Sequence, residues 1–167
     1  DMDKAVEYLR KRGMAAVEKR AGREANEGVV MSYIHPGSRL GVLVEINCET
    51  DFVARTDDFQ TFARDVAMHI AAEGPVAVSR EDLEPAVIEK EKEIYLEQAR
   101  NEGKPAHIAE KIVTGRLDKY FQEVCLMEQA FVKDPDKTIQ DLFTELTAKI
   151  GEKITIRRFS CFRLGEG

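Results

Sequence analysis

Two runs of alternating residues, joined by a short turn, constrain this chain more than any other feature. In residues 29–34 and 40–48, apolar side chains recur at every second position, which is the period of a β-strand with one buried face. The segment His35-Pro36-Gly37-Ser38 between the two runs is typical of a tight turn. Together they predict a β-hairpin, whose second strand leads into the polar, turn-prone segment Glu49-Thr50-Asp51.

The rest of the chain predicts helices and one further strand. Apolar residues at helical spacing predict a short helix over 4–20, followed by helices over 56–73, 85–101, 105–124 and 138–150. Residues 154–164 predict a third strand, and residues 133–137 predict a loop. The expected fold class is therefore α+β, with a three-stranded antiparallel sheet and a helical layer, preceded by a remnant N-terminal helix.

The composition argues against several classes of protein. The 167 residues carry a net charge of −6, whereas affinity for the phosphate backbone of nucleic acids is largely cationic. No apolar run approaches the roughly 20 residues that a membrane-spanning helix needs. The three cysteines, Cys48, Cys125 and Cys161, are widely and irregularly spaced, which fits a reducing compartment rather than a disulfide framework. We expect a cytoplasmic protein with no membrane contact and no direct contact with nucleic acid.

No arrangement of residues predicts an active site. Cys48 has acidic neighbours but belongs to the apolar side of its strand, where burial would raise its pKa and make the thiol unreactive. The histidines, His35, His69 and His107, have no metal-ligand spacing to one another or to a cysteine. We therefore expect no catalytic activity and no cofactor, and an enzyme built around Cys48 is kept only as a hypothesis to test.

Two side chains are candidates for contact with another molecule. Phe52 follows the polar segment at the end of the second strand, where the alternating pattern offers it no core. It either packs beneath the following helix near Phe59 or projects toward a partner, and the spacing does not decide between them. His35 lies at the tip of the hairpin, where a side chain serves either the turn or a partner.

The segment EINCETDFVAR at 45–55 closely resembles the signature of the bacterial elongation factor Ts family. The resemblance runs along the chain, through SYIHPGSRLGVLVE at 32–45, AMHIAAEGP at 67–75, NEGKPAHIAEKIVTGRL at 101–117 and QAFVKDPDKTIQDL at 129–142. AVEYLRKRG at 5–13 and REANEG at 23–28 resemble the end of the family's N-terminal module and its linker. The resemblance implies a short, single-core form, with 1–22 as the remnant of that module plus linker and 23–167 as the core and dimerisation domain.

The resemblance also implies a function, guanine nucleotide exchange, in which GDP is released from the translational GTPase elongation factor Tu. In the family, the phenylalanine of the TDF motif enters near the Mg²⁺ site of the GTPase. The corresponding contact residues here are Thr50, Asp51, Phe52 and Val53. The alternative is a binding module that docks on the GTPase or the ribosome without exchange activity.

Longer members of the family carry two copies of the core, with the TDF motif in the first copy and a hairpin-tip histidine in the second. This chain has one copy with both features, which implies a homodimer in which Phe52 of one chain and His35 of the other act on the same GTPase. The closing strand at 154–164 is a candidate dimer edge. Cys161 on that strand forms a symmetric disulfide if it is oxidised, or else is a buried thiol.

Overall fold

The computed structural model describes residues 1–166 and divides into two compact units. The first unit combines Asp1–Gly74 with the segment that begins at Ala130, and the second is Pro75–Gln129. All of the candidate contact residues belong to the first unit. The domain boundary expected after residue 22 stays a prediction.

A three-stranded antiparallel sheet forms the centre of the first unit. Its strands are β1 (Glu27–Ile34), β2 (Leu40–Cys48) and β5 (Thr155–Arg163), in the order β1-β2-β5. The predicted α+β class, the hairpin and the third strand are therefore confirmed. The central strand buries every second side chain on its inner face, in Val42, Val44, Ile46 and Cys48.

In the described part of this unit, four helices accompany the sheet: α1 (Met2–Arg20), α2 (Asp51–Ala54), α3 (Asp57–Glu73) and α6 (Ile139–Ile150). The predicted helix α3 packs its apolar stripe against β1 and β2. It begins where the Thr56 hydroxyl accepts a hydrogen bond from the Phe59 N–H, and it ends at Gly74 in a left-handed conformation. The N-terminal helix α1 is also present, and it packs against α6.

The loop predicted over 133–137 is wrong for residues 134–137, and only Lys133 lies in a turn. Ala130–Phe131 forms a short strand, β3, which pairs antiparallel with β4 at Asp134–Thr138. The sequence conceals β4 because its first residues are Asp, Pro, Asp and Lys, which give no alternating apolar pattern. The hairpin is held from the side of β3, where Phe131 is buried and the Val132 N–H donates to Nδ1 of His69 at 3.2 Å.

The second unit is built on two helices that the sequence predicts, α4 (Pro85–Asn101) and α5 (Ala106–Val124), and the structure shows that they pack against each other. Leu117, Phe121 and Cys125 form its buried cluster. The Arg80 guanidinium lies 4.4 Å from the centre of the Phe121 ring and pairs with Glu128 at 2.7 Å. Throughout residues 1–166, every helix is too short or too polar to cross a membrane.

Candidate functional site

Strand β2 ends in a turn followed at once by the short helix α2, and we call residues 49–53 the TDF tip. Thr50 begins this helix, because its backbone is extended and its hydroxyl accepts a hydrogen bond from the Val53 N–H at 3.2 Å. Asp51 pairs with Arg55 one turn later, at 3.2 Å, in the open solvent. The Thr50 side chain thus fixes where α2 begins.

The two sides of α2 have opposite environments. Val53 and Ala54 are buried, whereas the Phe52 side chain is 75% exposed. The hypothesis that Phe52 packs beneath the following helix is therefore wrong, because a side chain packed there would be buried, as Phe59 of α3 is. Phe52 is a large apolar side chain presented to solvent at the end of a strand.

A carboxylate from a distant part of the chain holds the TDF tip. Oε1 of Glu152 accepts hydrogen bonds from the N–H groups of Glu49 and Thr50 at 3.1 and 3.0 Å, and Oε2 accepts from the Thr50 hydroxyl at 2.8 Å. In return, the Glu49 carboxylate accepts from the Lys153 N–H at 3.0 Å and from Arg23 at 3.4 Å. The Lys153 N–H, followed by Arg23, lowers the pKa of Glu49. The sequence pattern gave no sign of Glu152.

His35 lies at the other end of β2, in the hairpin turn. Its backbone N–H donates to the Leu40 carbonyl at 2.9 Å, and its ring nitrogen Nδ1 lies 3.0 Å from the Tyr33 hydroxyl. The imidazole is exposed. The nine residues of β2 separate His35 from the TDF tip, which at about 3.4 Å per residue corresponds to about 30 Å. One chain therefore does not bring His35 and Phe52 together.

The sheet has one face covered by α3 and one face open to solvent. The open face, which we call the outer sheet face, carries four exposed apolar side chains: Val30, Ile34, Leu43 and Phe162. Cys161 is half-buried and pairs across the strands with Val42. Because directly paired residues share a face, Cys161 belongs to the side covered by helices, at the edge strand β5.

Cys48 has the environment that the sequence predicts. It has no exposed surface, and burial raises the pKa of its thiol to about 11. Its Sγ donates to the Thr50 carbonyl at 3.2 Å. The thiol is therefore protonated near neutral pH and contributes packing and one hydrogen bond to the base of the TDF tip. Among residues 1–166, no cluster of His, Cys, Asp and Glu has the arrangement of a metal site.

Comparison with known proteins finds one matching family and several similar proteins. A family profile described as Elongation factor TS matches residues 14–166. The chain is 65% identical to elongation factor Ts of Carboxydothermus hydrogenoformans, covering all of this chain and 77% of that protein. It is 59% identical to elongation factor Ts of Geotalea daltonii with the same coverage, and 57% identical to that of Moorella thermoacetica, of which it covers 82%.

These matches define the class of protein, which is a translation elongation factor. Within that class, the chain belongs to the elongation factor Ts family. The resemblance inferred from the TDF segment and its neighbours is thus confirmed.

Proposed function

We propose that this chain is a guanine nucleotide exchange factor that promotes GDP release from elongation factor Tu in the cytoplasm. Phe52 enters the GTPase near its Mg²⁺–nucleotide site, with Asp51 as its polar companion and Thr50 and Val53 as the supporting residues of the contact. The observation that carries the proposal is the 75% exposure of Phe52 on a tip that is otherwise tied down. An exposed phenylalanine gains roughly 1.5–3 kcal/mol when a partner buries it.

The physical requirement on an exchange factor follows from linkage. It must bind the nucleotide-free GTPase more tightly than the GDP-bound form. Its binding then lowers the affinity of the GTPase for GDP by the same ratio by which GDP lowers the affinity for the exchange factor. GDP is held by Mg²⁺ and by backbone N–H groups around its phosphates. A side chain inserted beside the Mg²⁺ site displaces the groups that hold the ion, and the burial of Phe52 helps to drive that displacement. The rest of the free energy for this displacement comes from the wider contact surface between the two proteins.

We further propose that the factor acts as a homodimer. His35 and Phe52 occupy opposite ends of β2, so a GTPase that meets both at one site takes them from two protomers. The outer sheet face, with Phe162 72% exposed, is an apolar surface of the kind that a second copy covers. Cys161 reaches the second copy only if the two β5 edges pair, and only in that arrangement do we propose a symmetric disulfide.

The test is release of a fluorescent GDP analogue from elongation factor Tu, with and without this chain. We expect acceleration by the wild-type chain and a loss of about 10-fold or more with Phe52→Ala, from the burial free energy of one phenylalanine. Val76→Ala is the matched control, because Val76 is 66% exposed in the second unit, and it should exchange like the wild type. A chain that binds the GTPase without accelerating release would be a binding module, which overturns the proposal.

A further inference from the structure

Glu152 lies between α6 and β5, and it contacts the TDF tip from 102 residues away in the chain. The helix α6 ends at Gly151, whose φ of 78° is left-handed. This turn is favourable for glycine and separates Glu152 from the helix that precedes it. The Glu152 carboxylate then accepts hydrogen bonds from two successive N–H groups, those of Glu49 and Thr50, and from the Thr50 hydroxyl.

The Thr50 hydroxyl connects Glu152 to the helix that carries Phe52. A hydroxyl has one hydrogen to donate and lone pairs to accept with. The hydrogen goes to Oε2 of Glu152 at 2.8 Å, and a lone pair accepts the Val53 N–H at 3.2 Å. Glu152 therefore sets the direction of the hydroxyl that caps α2, and α2 in turn sets the direction of Phe52.

The connection is reciprocal, which makes it more rigid than a single contact. Glu152 accepts from the backbone of Glu49, and Glu49 accepts from the backbone of Lys153 at 3.0 Å. Each side chain thus binds the main chain of the other segment. Two crossed contacts oppose both sliding and rotation of the tip against the start of β5.

We propose that Glu152 is a positioning residue for nucleotide exchange, which holds the TDF tip in the orientation that Phe52 needs to enter the GTPase. Glu152 acts through Thr50, and its role rests on the exchange function proposed above. A tip that is ordered before contact does not lose further conformational freedom during binding. Freeing the tip therefore weakens the action of Phe52, although the phenylalanine itself is unchanged.

The first test measures exchange in variants of the full chain. Glu152→Ala should slow GDP release about tenfold, the size expected from losing hydrogen bonds to a charged group at the protein surface. Glu152→Gln keeps a carbonyl acceptor and should recover part of the rate. Asp82→Ala is the control, because the Asp82 carboxylate likewise accepts from backbone and hydroxyl donors, one N–H and one hydroxyl of Ser79, in the second unit. It should exchange like the wild type.

A double variant separates positioning from general stability. If Glu152 acts through Phe52, then Glu152→Ala should add no further loss when Phe52 is already alanine. A general loss of structure would instead slow exchange in both backgrounds and lower the melting temperature. Additive losses would overturn the inference.

A measurement without the GTPase keeps this inference apart from the proposed function. Amide hydrogen exchange should accelerate at Glu49 and Thr50 and along α2 in Glu152→Ala, while the amides of α3 keep their protection. Unchanged protection at the tip would overturn the positioning role even if the wild-type chain releases GDP. Faster tip exchange in a chain that releases no GDP would leave the positioning of the tip standing and remove the function.

Discussion

The Tyr33 hydroxyl and Nδ1 of His35 lie 3.0 Å apart, within hydrogen-bonding distance. The two residues are two positions apart at the end of β1, so they share a side of the strand as it enters the turn. When the Tyr33 hydroxyl donates, Nδ1 is the acceptor and the imidazole hydrogen sits on Nε2. The Tyr33 hydroxyl thus restrains the orientation of the exposed histidine.

Tyr33→Phe should therefore slow GDP release without unfolding the hairpin. The substitution keeps the aromatic ring and removes only the hydroxyl, so the loss should be about 2–10-fold, as for one hydrogen bond. The rate of release of a fluorescent GDP analogue measures it. In a His35→Ala background the same change should have no effect, and a loss of equal size there would show that Tyr33 acts independently of His35.

Alanine substitution of Phe52 should affect mainly the exchange activity, and alanine substitution of Phe59 mainly the free energy of unfolding. Phe52→Ala should change the free energy of unfolding by no more than about 0.5 kcal/mol, which is usual for an exposed position. Phe59→Ala should cost about 3–5 kcal/mol, because Phe59 has no exposed surface and its removal leaves a cavity. Urea denaturation of both variants checks this contrast, and a large destabilisation by Phe52→Ala would mean that Phe52 packs against the protein in solution.

The sequence predicts the elements whose local pattern is strong. The inner face of β2 and the apolar stripe of α3 are periodic over several residues, and Gly74 and Gly151 end their helices in left-handed conformations. The strand β4 was missed because its pairing with β3 depends on Phe131 and His69 packing nearby, and not on its own polar residues. Propensity is a weak guide where tertiary contacts decide the conformation.

The residues of the candidate site also differ in how far the sequence predicts them. Thr50, Asp51 and Phe52 form a continuous motif and are visible in the sequence, but spacing alone did not decide whether Phe52 is buried. Glu152 has no local signal, because its partners are 102 and 103 residues away. A contact between residues so far apart in the chain is seen only in the folded structure, where the two segments lie side by side.

Gly28 should be the glycine of the sheet that tolerates substitution least. Its φ is 139°, and a Cβ would lie 2.1 Å from the Ile46 carbonyl oxygen on the neighbouring strand. Backbone strain of about 1–3 kcal/mol and overpacking of about 1–3 kcal/mol should together make Gly28→Ala strongly destabilising. Thermal unfolding measures the loss.

Gly37→Ala is the matched control for Gly28. Gly37 also has a positive φ, of 98°, but a Cβ there would meet nothing within 4 Å. The loss of stability in Gly37→Ala should come from backbone strain alone, about 1–2 kcal/mol. Equal losses in the two variants would mean that the close approach to Ile46 contributes nothing.

The buried thiols should make the protein lose stability in alkali. Burial raises the pKa of Cys48 and of Cys125 from 9.0 to about 11. Below pH 9 both states of the protein keep these protons. Between pH 9 and 11 the unfolded state releases them first, so the free energy of unfolding falls as the pH rises.

The measurement is the melting temperature between pH 8 and 11, for the wild type and for Cys48→Ala combined with Cys125→Ala. The melting temperature of the wild type should fall more steeply as the pH rises, because only the wild type has the two buried thiols and all other ionisable groups are the same in both proteins. Parallel curves would show that the two thiols do not contribute to the pH dependence.

The outer sheet face should form the dimer interface. Phe162 is 72% exposed, so Phe162→Glu should leave the fold of the protomer intact and place a charge in the apolar contact. We expect the wild-type chain to have the mass of a dimer in light scattering at micromolar concentration, and Phe162→Glu to have the mass of a monomer. Val76→Glu, at an exposed position in the second unit, should stay dimeric. A wild-type monomer would remove the shared site of Phe52 and His35.

Oxidation then distinguishes packing of the outer faces from pairing of the β5 edges. Sheets packed face to face lie about 10 Å apart, and Cys161 belongs to the opposite, helix-covered side of its strand. A disulfide needs Cα atoms about 4.4–6.8 Å apart, a distance compatible with paired edges, about 4.8 Å apart. We therefore expect no cross-linked dimer on a non-reducing gel after mild oxidation, although the dimer mass persists. A cross-link that Cys161→Ser abolishes would instead show that β5 pairs with its counterpart at the dimer edge.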